Sequence, residues 1–149
     1  MTALSAEARG AIGDLNARFA WALDLHDFEA LRSILTPDVH YVSVGREFHD
    51  VESTIASFRA RTATRMTRHG LGNLLLESVA DDQVRGRSSW HTFASNDDPP
   101  GPGVALFMVA DFADLYRRTA QGWRIAERII TPVFRDPALA PGAPASSPS

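Results

Sequence analysis

Near residue 66 the hydrophobic period of this chain changes from that of a helix to that of a strand, and it does not change back. Apolar and polar residues alternate in four long runs, 66–79, 83–95, 104–118 and 122–134. The breaks are Asp81-Asp82, the Asp-Asp-Pro-Pro-Gly-Pro-Gly of 97–103, and Ala120-Gln121-Gly122. Long period-two runs joined by such short turns can pair only with antiparallel neighbours, so a meander is expected. The 97–103 segment is longer than a hairpin turn needs and is long enough to cover a site.

Before residue 66 the period is helical. Ser5 precedes an early acid, Glu7, and Ile12, Leu15, Phe19, Ala22 and Leu23 recur on one face to about Leu25. Asp27 reads as the N-cap of a second helix over 28–35, which ends near Thr36-Pro37. A β-rich stretch at 38–44 follows, and Asp50 caps a third helix through Val51, Ile55 and Phe58, ending before Met66. Helices first and strands afterwards predict an α+β domain, with the helices packed on one face of a curved, mostly antiparallel sheet. A chain of 149 residues with 44% hydrophobic content can bury one core, so a single domain over 1–135 is expected. Residues 136–149 are mostly Pro, Ala and Ser in low complexity and read as a disordered tail.

Absences narrow the chemistry. A net charge of -3, with all fifteen basic residues arginines scattered from Arg9 to Arg135, offers no basic stripe for nucleic acid. Cysteine is absent, which removes thiolate catalysis and Cys-ligated metals. The N-terminus has neither a basic segment nor an apolar core, and no run is long enough to cross a bilayer, so a cytoplasmic protein is expected. Gly101-Pro102-Gly103 is a turn and not a phosphate loop, and Gly86-Arg-Ser-Ser-Trp90 lacks the closing glycine of a nucleophile elbow. The five histidines show no ligand spacing, so neither a metal nor a cofactor is expected. Catalysis, if there is any, is then acid–base work.

Asp24 is the best candidate, because a carboxylate in the last turn of a helix is repelled by the macrodipole at a cost of about 0.3–1 kcal/mol. A residue that breaks a local rule without visible compensation tends to be functional or strained. His69 starts the first long run, and strand parity places it with Leu71, Asn73 and Leu75 on one face, the mixture of polar and apolar groups found in small-molecule pockets. Its bland alternative is a structural histidine. Gly70 and Gly72 are compatible with a bulge or a close backbone approach, and equally with simple strand irregularity. Tyr41 presents a phenol from the early strand, or else is half-buried with its hydroxyl at water. Arg128 shares a face with Ala126 and Ile130, so it must snorkel or find an anion, for which Asp24 or a substrate oxygen would serve. Phe19 and Trp21 flank Asp24 and shape a cavity or the core. Ser88, His91, Asp111 and Asp114 are weaker candidates on later strands.

Taken together, Ala-Leu-Asp24-Leu-His-Asp27-Phe-Glu-Ala-Leu, Thr-Pro-Asp-Val, Arg68-His69 with Asn73, Leu115-Tyr-Arg-Arg and Gly-Trp-Arg-Ile resemble the SnoaL-like branch of the nuclear transport factor 2-like superfamily, over about 8–135. The resemblance implies a cone-shaped α+β barrel enclosing a deep apolar pocket. Asp24 and His69 match the dyad of the scytalone and bile-acid dehydratases, and Arg128 matches an active-site arginine of the latter. Tyr41 lies near a tyrosine that holds a catalytic water. Phe19 and Leu23 stand where those enzymes carry tyrosines, and Ser88 near a second strand histidine. The implied activity is a cofactor-independent dehydratase or cyclase acting on a hydrophobic carbonyl-bearing molecule such as a polyketide or terpenoid. Isomerisation, epoxide opening and a non-catalytic ligand-binding or assembly role are the alternatives. Sheets of such relatives pair across subunits, which implies a homodimer or homotrimer, with no nucleic-acid or membrane partner.

Overall fold

The structure is a computed structural model and describes residues 3–143. Helix α1 runs over Ala6–Asp24. The Ser5 hydroxyl caps it by accepting from the Ala8 amide at 3.1 Å. Its buried stripe is Ile12, Leu15, Phe19 and Leu23, and each such side chain contributes about 1.5–3 kcal/mol when withdrawn from water. Asp27 does act as a cap, accepting from Ala30, but the segment that follows is a 3-10 turn at Phe28–Ala30 leading into a four-residue helix, α2, at Leu31–Ile34. The expected single helix over 28–35 is therefore broken. Strand β1 starts earlier than its alternation suggested, at Leu35, and runs to Ser43. Asp50 caps α3, Val51–Arg59, through the Ser53 amide at 2.7 Å.

The four long runs form β3 (Met66–Ala80), β4 (Gln83–Ser95), β5 (Leu106–Thr119) and β6 (Gly122–Arg135), an antiparallel meander as expected. A strand not read from the sequence, β2 at Arg46–Phe48, hairpins back onto β1. Its turn residues, Val44 and Gly45, both take positive φ, 49° and 75°, and such a turn ordinarily announces itself with Asn-Gly. A β-branched residue at that position gives no such signal. β1 then lies parallel to β6, which makes one mixed sheet in the order β2-β1-β6-β5-β4-β3. Three helices on one curved sheet are the α+β cone implied above.

Register decides what faces the helices. Tyr41, Arg128, Asp114 and Gly86 fall in one row across β1, β6, β5 and β4. Glycine is required at 86, because a Cβ there would lie 2.6 Å from the Tyr116 ring. In β3 the pairing shifts between Gly72 and Leu75, with Asn73 at φ 54°, so the simple parity from His69 to Leu75 fails at this bulge. At the other end the first residues of the expected tail are folded onto the domain. Asp136 caps a 3-10 turn at Pro137–Leu139, and Asn96 Nδ2 donates to the Ala140 and Ala143 carbonyls at 3.1 Å each. The remainder of that tail, 144–149, lies outside the described residues.

Candidate active site

Asp24 is buried at the last position of α1, where β3 crosses the helix end. Its misfit with the macrodipole is compensated from that strand. Thr67 Oγ1 donates to Oδ1 at 2.8 Å, the His69 amide donates to Oδ2 at 3.1 Å, and His69 Nδ1 lies 2.6 Å from Oδ1. Burial works to raise its pKa, but the histidine and threonine bonds outweigh it and hold the carboxyl below its ordinary value. An ionised Asp24 can only accept, so Nδ1 carries the proton of that bond and, in the neutral ring, Nε2 keeps a lone pair. Thr67 was not anticipated. Its signal was the strand parity it shares with His69.

His69 lines a cavity of about 360 Å³, and its Nε2 has no protein partner among the described residues. The imidazole stands edge-on to Trp90, with ring centroids 6.4 Å apart, and Trp90 is fixed by donating from Nε1 to Ser88 Oγ at 2.9 Å. Phe19, Leu23, Phe58, Phe107, Met108 and Phe112 supply the apolar wall. Tyr41 also lines it. Its hydroxyl makes no hydrogen bond among the described residues, and burial pushes its pKa up to about 12, so the phenol stays protonated as a donor.

Several other sequence candidates lie elsewhere. Arg128 is fully buried but does not line the cavity. Its partner is Asp114 rather than Asp24, in a bidentate pair with both bonds at 2.9 Å. Tyr116 Oη donates to the same carboxylate at 2.7 Å, and Asn16 bonds both Tyr116 and Arg128. Burial opposes the charge of Arg128, yet Asp114 raises its pKa well above the usual value. The guanidinium lies 4.4 Å from the Phe19 centroid and 5.0 Å from that of Phe112, so it supports the cavity floor from behind. Trp21 is 56% exposed and stacks under Arg68 at 5.8 Å. Leu71 and Asn73 are exposed in the middle of β3, beside the bulge, and line no part of the cavity. Ser88 orients Trp90 without facing the cavity. Nor does 97–103 cover it, since Gly101 and Gly103 border a separate shallow concavity. Ala140, Pro141 and Gly142, within the stretch read as tail, do line the cavity.

On the outer face of the β1–β2 hairpin, the ligand atoms of His40, Glu47 and His49 lie within 4.8 Å of one another, a convergence invisible in their spacing. This group is no part of the cavity wall. Among the described residues, no helix is long and apolar enough to cross a membrane.

Three helices on a curved sheet, with an Asp24–His69 pair whose imidazole reaches a cavity walled largely by aromatic and aliphatic side chains, define the architecture. The SnoaL-like domain model matches residues 4–129, and the chain belongs to that family. Among solved structures it is similar to an NTF2-like protein with a cystatin-like fold from Novosphingobium aromaticivorans, at 25% identity and TM-score 0.72, covering 89% of this chain and 86% of that one. It is also similar to a type 2 hexachlorocyclohexane dehydrochlorinase, at 19% identity and TM-score 0.73, covering 95% of each chain. A putative scytalone dehydratase from Novosphingobium aromaticivorans matches at 14% identity and TM-score 0.70, covering 93% of this chain and 95% of that one. No curated protein matches.

Proposed function

We propose that this protein is a cofactor-independent lyase, a dehydratase or cyclase acting on a hydrophobic carbonyl-bearing small molecule. The observation that carries the reading is the 2.6 Å contact between His69 Nδ1 and Asp24 Oδ1, with His69 itself in the wall of the cavity. Nε2 takes the proton from the carbon beside the carbonyl. Asp24 stabilises the imidazolium that results, and the Tyr41 hydroxyl donates to the oxygen on which negative charge collects. The imidazolium then returns its proton to the β-hydroxyl as the C–O bond breaks. One C–H and one C–O bond are lost, one C=C bond and one water are formed, and His69 ends neutral. The names of two structural neighbours, a dehydrochlorinase and a putative dehydratase, both denote eliminations, which supports this class over isomerisation.

The test is turnover of a panel of one- and two-ring β-hydroxyketones, followed by NMR for the alkene product. Asp24→Asn and His69→Gln are expected to lower kcat/KM by about 10²–10⁴, the usual contribution of a positioned acid–base group. Tyr41→Phe, which removes no hydrogen bond among the described residues, is expected to lower kcat with little change in melting temperature. Undiminished turnover in both dyad variants removes the mechanism.

A further inference from the structure

The cavity is charged in the opposite sense to the molecule that encloses it. The chain carries a formal charge of -3, yet Arg46, Arg61, Arg65 and Arg135 line the cavity and no Asp or Glu does so among the described residues. Elsewhere in the fold, Arg32 and Arg59 meet Glu29, Arg117 meets Asp38 and Arg128 meets Asp114. Among the described residues, none of the four cavity arginines has a carboxylate partner.

An exposed arginine without a partner is unremarked in any protein, so burial decides the matter. Arg65 is 3% exposed. Its Nη1 donates to Asn96 Oδ1 at 3.1 Å and to the Leu139 carbonyl, both neutral acceptors, and its Nε is buried with no acceptor among the described residues. A guanidinium taken out of water against neutral groups alone is costly, and it is relieved when an anion arrives. Burial, and after it the like charge of Arg61, push the Arg65 pKa down to about 10. The Arg61 guanidinium rests 4.6 Å from the Phe58 centroid, makes no side-chain hydrogen bond among the described residues, and feels the charge of Arg46. Its pKa is lowered too, mainly by burial.

We propose that Arg61 and Arg65 form an oxyanion subsite in the cavity wall, so that the molecule bound there is an apolar ring system bearing a carboxylate or phosphate group. The proposal rests on the reading of the cavity as a substrate chamber and names the substrate class. Phe58, Phe107, Met108 and Phe112 receive the ring body, while the two guanidinium forks offer paired N–H donors of the kind that fit planar anions. Arg46 and Arg135, more exposed, draw an anion toward the cavity from solution.

Calorimetric titration with 2-naphthoate, its neutral isostere 2-naphthamide and 2-naphthyl phosphate tests the subsite without any turnover. The naphthoate is expected to bind at least ten-fold more tightly than the amide. That preference should disappear in Arg61→Gln, persist in Arg61→Lys to a reduced degree, and survive intact in His69→Gln. Arg65→Gln is measured alongside if its circular dichroism is native, and Arg61→Gln decides if it is not. A preference for the phosphate over the carboxylate keeps the subsite and identifies the anion. Equal affinity of acid and amide, a preference that vanishes in His69→Gln but not in Arg61→Gln, or no anion binding at millimolar concentration overturns it. An arginine-dependent preference without turnover of any β-hydroxyketone keeps the subsite while removing the lyase mechanism, so the two failures are separate.

Discussion

Replacing Arg128 with methionine separates a supporting arginine from a catalytic one. The guanidinium donates two 2.9 Å bonds to Asp114 and one to Asn16, and both members of the ion pair have side chains at 0% exposure. In Arg128→Met the apolar stem survives, but the Asp114 carboxylate is left sealed from water with Tyr116 Oη as its remaining donor. Removing one partner of a buried pair costs about 3–5 kcal/mol, most of it the penalty for the stranded charge. At roughly 2–4 °C per kcal/mol for a domain of this size, the melting temperature should fall by about 6–20 °C. The double variant Arg128→Met/Asp114→Leu, which buries no charge, should recover most of that loss. Thermal melts by circular dichroism, with urea titrations on all three proteins, read the effect. If Arg128→Met melts within about 2 °C of the parent yet turns over no substrate, the supporting role is refuted and the arginine belongs to the chemistry.

Three further outcomes follow from local geometry. Because the folded-state pKa of Asp24 is depressed, its stability contribution is present above the unfolded value of about 3.9 and is lost as pH falls through the folded value below it. Urea midpoints of the parent should therefore drop more steeply below pH 4 than those of Asp24→Asn, and parallel curves would count against an ionised Asp24. His40 is raised in the opposite sense by its bonds to Glu127 and Glu47, so its contribution is whole below about pH 6.5 and lost as pH rises through its folded value. A His40→Gln variant should remove that alkaline slope in the same titration. Gly86→Ala should destabilise by about 1–3 kcal/mol, since Tyr116 cannot yield to the new methyl without leaving Asp114 and Asn16, and an unchanged midpoint would show that the ring has room to move.

Most of the element boundaries were legible because they depend on local rules. Ser5 and Asp50 cap the helices they were expected to cap, and Asp27 caps too, though a 3-10 turn in place of the expected helix. The misses were local as well. Val44-Gly45 makes a hairpin turn without a hairpin turn's usual residues, and Asn73 takes a left-handed conformation that shifts β3 past the parity counted from His69. Asp24 stood out because a buried carboxylate at a helix C-terminus contradicts the local electrostatics, and such a contradiction can be seen in one dimension.

Its resolution cannot. His69 and Thr67 reach Asp24 across 45 and 43 residues of chain, Asp114 meets Arg128 across a strand pair, and Arg65 meets Leu139 across 74 residues. From residue order alone, Arg128 was offered Asp24 or a substrate oxygen where its partner is Asp114, and nothing set Arg65 apart from any other arginine. Periodicity and capping are properties of neighbours in the chain, so they belong to the amino-acid sequence. Which charges end up paired, which stay unpaired in a chamber, and which end of the chain lines it depend on strand register and helix docking, and those are settled only when the sheet closes over the helices.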